Sequence, residues 1–288
     1  MLTKNATIST LNVSSFNLTQ TVYSTIIASS IGLYTLTPTS TLDVQSRNVN
    51  ISTSLFAAIT STSIYSTAGS YTITNFPRQT SSITFEMVGA GGGQNPGGTA
   101  GSGGYITGVF SVPTNVSTIK VVVGTVLNYL TASGASYITV PNNIGPLFVM
   151  AGAGGGAFSG GWVGGHGGGG TFTSGVAPGG DGNGFAQGGS QSGLTIGGSG
   201  SNAPNGGNAN SSGNFEQALG GADGQCVAGG SGYAGGGGGY DGFIIPTSGG
   251  GGSSYYSSLY TTISTSVSGS SMYGLYGGPN QSGYVSIT

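Results

Sequence analysis

Proton transfer near neutral pH, thiol chemistry and metal binding depend on a few side-chain types, and this chain is poor in all of them. His166 is its single histidine, Cys226 its single cysteine, and its acids are Asp43, Glu86, Asp181, Glu216, Asp223 and Asp241. A hydrolytic triad needs a histidine base beside its nucleophile. His166 stands instead inside the run Gly164-Gly165-His166-Gly167-Gly168, and no serine occupies a G-x-S-x-G turn. A zinc site draws on several Cys or His ligands, so one of each is too few. Glycoside cleavage needs two carboxylates at a set separation, and the six acids are scattered without pairing. Gly-Ala-Gly-Gly-Gly occurs at Gly89 and again at Gly152, each after a strand-like run. A dinucleotide fingerprint would continue into a helix and then an acid on the next strand; here more glycine follows. Asp181-Gly182-Asn183-Gly184 begins like a calcium loop but lacks the closing glutamate, and it reads as a turn. No catalytic, metal or cofactor-binding residue is therefore assigned. The chemistry that remains is recognition. Trp162, His166, Phe172, Tyr233 and Tyr240 are the bulky groups set among glycines. They are the candidates for contact with a glycan or a protein receptor, because exposed aromatics stack and anchor. The competing reading makes them spacers that pack within an assembly.

The elements that would carry such residues are constrained by composition. Only 3% of the 288 residues are charged and the net charge is -2. No basic footprint exists for nucleic acid and no polybasic patch for anionic lipid. Glycine contributes 62 residues, yet 15 Tyr and 11 Phe stand beside them, whereas disordered chains combine high net charge with few aromatics. Glycine loses the most backbone entropy on folding, so ordered glycine runs need packed neighbours. A lone cysteine allows no intrachain disulfide; Cys226 reads as a small buried side chain. The opening MLTKNATIST has no apolar signal region, and no run approaches the roughly 18 to 20 apolar residues of a membrane span. Both point to synthesis and assembly in a host cytoplasm without membrane insertion.

Three stretches differ in composition. Residues 1–68 are rich in Ser, Thr, Ile and Leu and contain an imperfect repeat. LNVSSFNLT at Leu11 resembles VQSRNVNIS at Val44, and Val22 with Leu55, Ile26 with Ile59 and Ile31 with Ile64 share an offset of 33 by subtraction of their numbers. A unit of that size cannot bury its own apolar face, so these six residues are the candidates for oligomer contact. Residues 69–150 carry strand alternations at Ser70–Thr74, Ile83–Val88, Tyr105–Val112, Thr118–Val123, Tyr137–Val140 and Leu147–Met150. Glycine turns separate them, the pattern of an all-β sandwich or barrel. Residues 151–288 hold the glycine runs and end in a strand at Ser282–Thr288. No frame keeps glycine at every third position, which excludes collagen. A bundle of polyglycine II helices, three residues per turn and bonded only to neighbours, would satisfy the backbone.

The order SITFEMVGAGGG (Ser82–Gly93), GGYITGVFSV (Gly103–Val112), STIKVVVG (Ser117–Gly124), LFVMAGAGGGA (Leu147–Ala157), GGGGSSYY (Gly249–Tyr256) and SGYVSIT resembles a glycine-rich domain. That domain is found in virion proteins of large DNA viruses and in phage tail and adhesin proteins. The stretch is similar also to the glycine-rich region of the anaplastic lymphoma kinase ectodomain. The resemblance runs from about Ala68 to the end of the chain. It implies a jelly-roll or TNF-like β-sandwich threaded by polyglycine II helices over 69–288. The Ser/Thr-rich repeat in residues 1–68 would be a β-rich stalk or capsid anchor.

The reading that joins these observations is a non-enzymatic structural protein at a virion surface. It would be a fibre, spike or minor capsid component for host attachment, homotrimeric and in contact with other capsid or fibre proteins. The alternative is a glycine-rich ligand-recognition module of a cell-surface receptor or adhesin.

Overall fold

The computed structural model describes residues 62–74, 82–113, 116–141, 147–158, 162–183, 186–190, 195–200, 205, 217–221, 227–239, 248–269 and 274–288, together with the backbone of 25–26 and 43–44. The chain divides into two compact units, Met1–Ser61 and Thr62–Thr288. In the first, β1 (Thr25–Ile26) and β2 (Asp43–Val44) pair in parallel. The boundary expected at residue 68 compares with a division after Ser61, because Ser63–Tyr65 pairs with the C-terminal strand.

The second unit is all-β. Its strands are β3 (Ser63–Tyr65), β4 (Gly69–Thr74), β5 (Ile83–Val88), β6 (Tyr105–Phe110), β7 (Thr118–Val123), β8 (Ser136–Thr139), β9 (Leu147–Ala151), β10 (Val176–Ala177), β11 (Ser254–Tyr256), β12 (Thr261–Val267) and β13 (Tyr284–Ile287). They form two antiparallel sheets, in the orders β10-β11-β9-β8-β7-β4 and β12-β6-β5-β13-β3. No α-helix occurs among the described residues.

Alternation explains the way the sheets face each other. Successive side chains of a strand point to opposite faces. On β5 this turns Ile83, Phe85 and Met87 inward and Thr84 and Glu86 outward; on β7 it turns Ile119, Val121 and Val123 inward. One core joins both sheets, with Phe110 of β6 stacked on Phe148 of β9 at a centroid distance of 4.9 Å. Each such side chain contributes about 1.5–3 kcal/mol when fully buried. Central strands β8 and β9 are buried on both faces, because a second cluster of Tyr137, Leu147 and Met150 lies on the outer face beneath Tyr233 and Tyr255.

Candidate functional site

Glycine segments continue from the strand ends and form a hydrogen-bonded array. After β5 comes 89–93, after β9 comes 152–156, before β6 lies 101–104 and before β11 lies 249–252. Around the last of these, N–H groups three residues apart choose the same neighbour. Gly249 and Gly252 donate to the carbonyls of Gly156 and Ala153 at 3.0 and 2.9 Å. Gly250 and Ser253 donate to Gly237 and Ala234, both at 2.9 Å, and Gly251 donates to Gly180 at 2.9 Å. The run after β9 repeats the pattern. Ala153 and Gly156 donate to Ser231 and Ala228, Gly154 and Ala157 donate to Ala90 and Gly93, and Gly155 donates to Gly165. A strand would alternate with a period of two; here the direction repeats every three residues.

Packing, and not backbone conformation, requires glycine here. A Cβ on Gly249, Gly250, Gly251 or Gly252 would overlap the backbone carbonyl of Ala228, Gln187, His166 or Ser231 respectively. The described glycines with positive φ are Gly69, Gly97, Gly170, Gly175, Gly269, Gly274 and Gly277, and none belongs to these runs. The array thus satisfies its buried N–H and C=O groups laterally, at separations that leave no room for a side chain.

The candidate recognition residues sit around this array in different settings. Tyr233 stacks on Tyr255, centroids 4.4 Å apart and planes at 17°. Phe172 meets Tyr256 edge-on at 4.9 Å. Tyr255 and Tyr256 are successive residues of β11, so they point to opposite faces of the sheet. Tyr233 therefore joins the outer cluster and Phe172 packs against the core between the sheets. His166 is exposed, accepts the Ser102 N–H on Nδ1 at 3.0 Å and carries Gly269 against its ring. Trp162 is half-buried, and its carbonyl accepts the Thr99 N–H at 3.0 Å. The structure does not gather these four into one platform. Tyr240 lies outside the described residues, as do Cys226, Val22, Ile31, Leu55 and Ile59. Ile26 belongs to β1, described by its backbone alone. Ile64, on β3 opposite Ser286, is 62% exposed.

Burial raises the pKa of Tyr233 and Tyr255. The neighbouring Tyr255 phenol adds to the rise at Tyr233, and a hydrogen bond with Ser257 partly offsets it at Tyr255. Tyr65 is raised in the same way by burial, with a smaller opposing bond from Ser63. Among the described residues no group of three His, Cys, Asp or Glu side chains converges on a possible metal position. No described helix is long and apolar enough to cross a membrane.

Exposed leucines escaped the sequence reading. Leu259 is 78% exposed in the turn between β11 and β12, Leu275 66% and Leu219 62%. Each is a lone aliphatic among Ser, Tyr, Ala or Gly, so no periodicity marked it. No protein-family model and no curated protein matches this sequence.

Proposed function

We propose that this chain is a non-enzymatic structural protein of a virion surface, a fibre, spike or minor capsid component for host attachment. The observation that supports the reading is the glycine array. Its lateral bonds repeat every three residues, as they do between polyglycine II helices. Such a bundle is stiff because each segment is held by several others, and it requires little apolar core. We read the two sheets as a sandwich of jelly-roll or TNF-like type that grips the ends of the glycine helices. The first unit, up to Ser61, supplies the stalk or capsid anchor, and three copies associate through Val22, Ile26, Ile31, Leu55 and Ile59, and through the exposed Ile64 of β3. The glycine-rich part then projects outward in the host direction and presents its loops.

The test compares the full chain with one that begins at Thr62, which keeps β3 in its sheet. Light scattering is expected to give a trimer or a multiple of it for the full chain, and a species without the threefold contact for the shorter one. A full chain that stays monomeric at micromolar concentration and binds no capsid component removes the stalk-and-anchor reading.

A further inference from the structure

Among the described residues strand β4 forms one end of the six-stranded sheet, and all six of its residues are in register with β7 without a bulge. Edge strands are normally protected by brevity, a bulge, proline or charge. The other three sheet ends show such protection. β10 has two residues, β3 has three, and β12 breaks register between Ile263 and Thr265. β4, Gly-Ser-Tyr-Thr-Ile-Thr, has none of these devices.

Its side chains mark the same edge. Tyr71 and Ile73 pack against the core between the sheets yet remain half-exposed. Tyr65 leans on Tyr71 at a centroid distance of 4.9 Å and covers that side only in part. Ser70, Thr72 and Thr74 are exposed on the opposite face.

We propose that β4 pairs with β4 of a second copy of this chain, antiparallel about a twofold axis at Thr72. In that register Thr72 meets the partner's Thr72, Ser70 meets the partner's Thr74, and Tyr71 meets the partner's Ile73. Hydroxyl pairs and aromatic–β-branched pairs are favourable across strands. The half-exposed Tyr71 and Ile73 gain cover from each other. No like charges are forced together. Among the described residues the nearest cation, Lys120, sits one strand inward opposite Thr72. Two such lysines are separated by three strand spacings, about 14 Å, beyond a screening length of about 8–10 Å. The contact is isologous and closed, so it joins two six-stranded sheets and uses up the open edge. It is independent of the N-terminal contact proposed above; together, a twofold and a threefold contact would link trimers into a larger assembly.

Full-length T72C, with Cys226 replaced by serine, tests this with a short bismaleimide cross-linker. Thr265 on β12, also exposed, supplies the control T265C in the same background. T72C is expected to give a covalent dimer and T265C to remain largely uncoupled. T72K sets like charges face to face across the axis and is expected to weaken self-association by about tenfold or more, with unchanged circular dichroism in dilute solution. The proposal is overturned if T72C couples no better than T265C, or if T72K leaves the concentration dependence of the mass unchanged. Efficient T72C coupling in a full chain that never reaches a trimer supports the β4 contact and removes the N-terminal one alone.

Discussion

Replacing Gly251 by alanine tests the glycine array at a fully enclosed point. The new Cβ would fall on the carbonyl group of His166, with the Gly165 oxygen 2.9 Å away. That leaves it about 1 Å or more short of ordinary van der Waals separation from the His166 oxygen. All of these are backbone atoms, so no flexible side chain can swing clear. Overpacking of this kind costs about 1–3 kcal/mol. Relief requires the segment to move away, which strains the bonds from Gly251 to Gly180 and from Gly189 to Gly251, both 2.9 Å. Each is worth about 0.5–1.5 kcal/mol net. The smaller entropy of an unfolded alanine returns only about 0.4–1 kcal/mol. The balance is a loss of about 1–5 kcal/mol, or a fall of about 3–15 °C in melting temperature for a unit of this size. Calorimetry beside G170A supplies the contrast. Gly170 has a φ of +76° and no atom within 4 Å of an added Cβ, so that variant meets only the left-handed backbone penalty of about 1–2 kcal/mol. A G251A protein that melts within a degree or two of the parent would refute the close-packed account.

Other perturbations read other parts of the structure. Burial raises the pKa values of Tyr65, Tyr233 and Tyr255 above 10.0, so the folded state binds these protons more tightly than the unfolded chain. Their contribution to stability is fully present below the ordinary tyrosine value and is lost as pH rises through the raised ones. Melting temperature should therefore fall once pH passes about 10, less so in Y233F/Y255F; an identical decline in that double variant counts against the assignment. With 3% charged residues, melting temperature should stay nearly flat up to about 0.5 M sodium chloride, and a large fall on adding salt would contradict this. H166A removes the acceptor of the Ser102 N–H and should cost about 1 kcal/mol, seen as faster amide exchange at Ser102. H166N, whose Oδ1 takes the Nδ1 place, should restore protection, and equal exchange in all three proteins would show the bond to be unimportant.

Local periodicity made most of the strands legible from the residues alone. Ile83–Val88 and Thr118–Val123 alternate, and each forms a strand with the bounds its alternation marks. Composition likewise showed that the glycine runs need partners, since their backbone groups have nowhere else to bond. Alternation gave no sign of β12, a Ser/Thr-rich strand whose outward residues are as polar as a loop. Nor did it reveal that β13 lies between β5 and β3, because strand partners are chosen by contacts far apart in sequence. Tyr255 and Tyr256 look equivalent in the chain, yet the pleat sends one to Tyr233 and the other to Phe172. The glycine runs are the extreme case. A glycine has no side chain with which to encode a neighbour, so Gly249 and Gly250 are interchangeable in sequence. Only the strands that hold the ends of each run decide that one bonds to Gly156 and the other to Gly237.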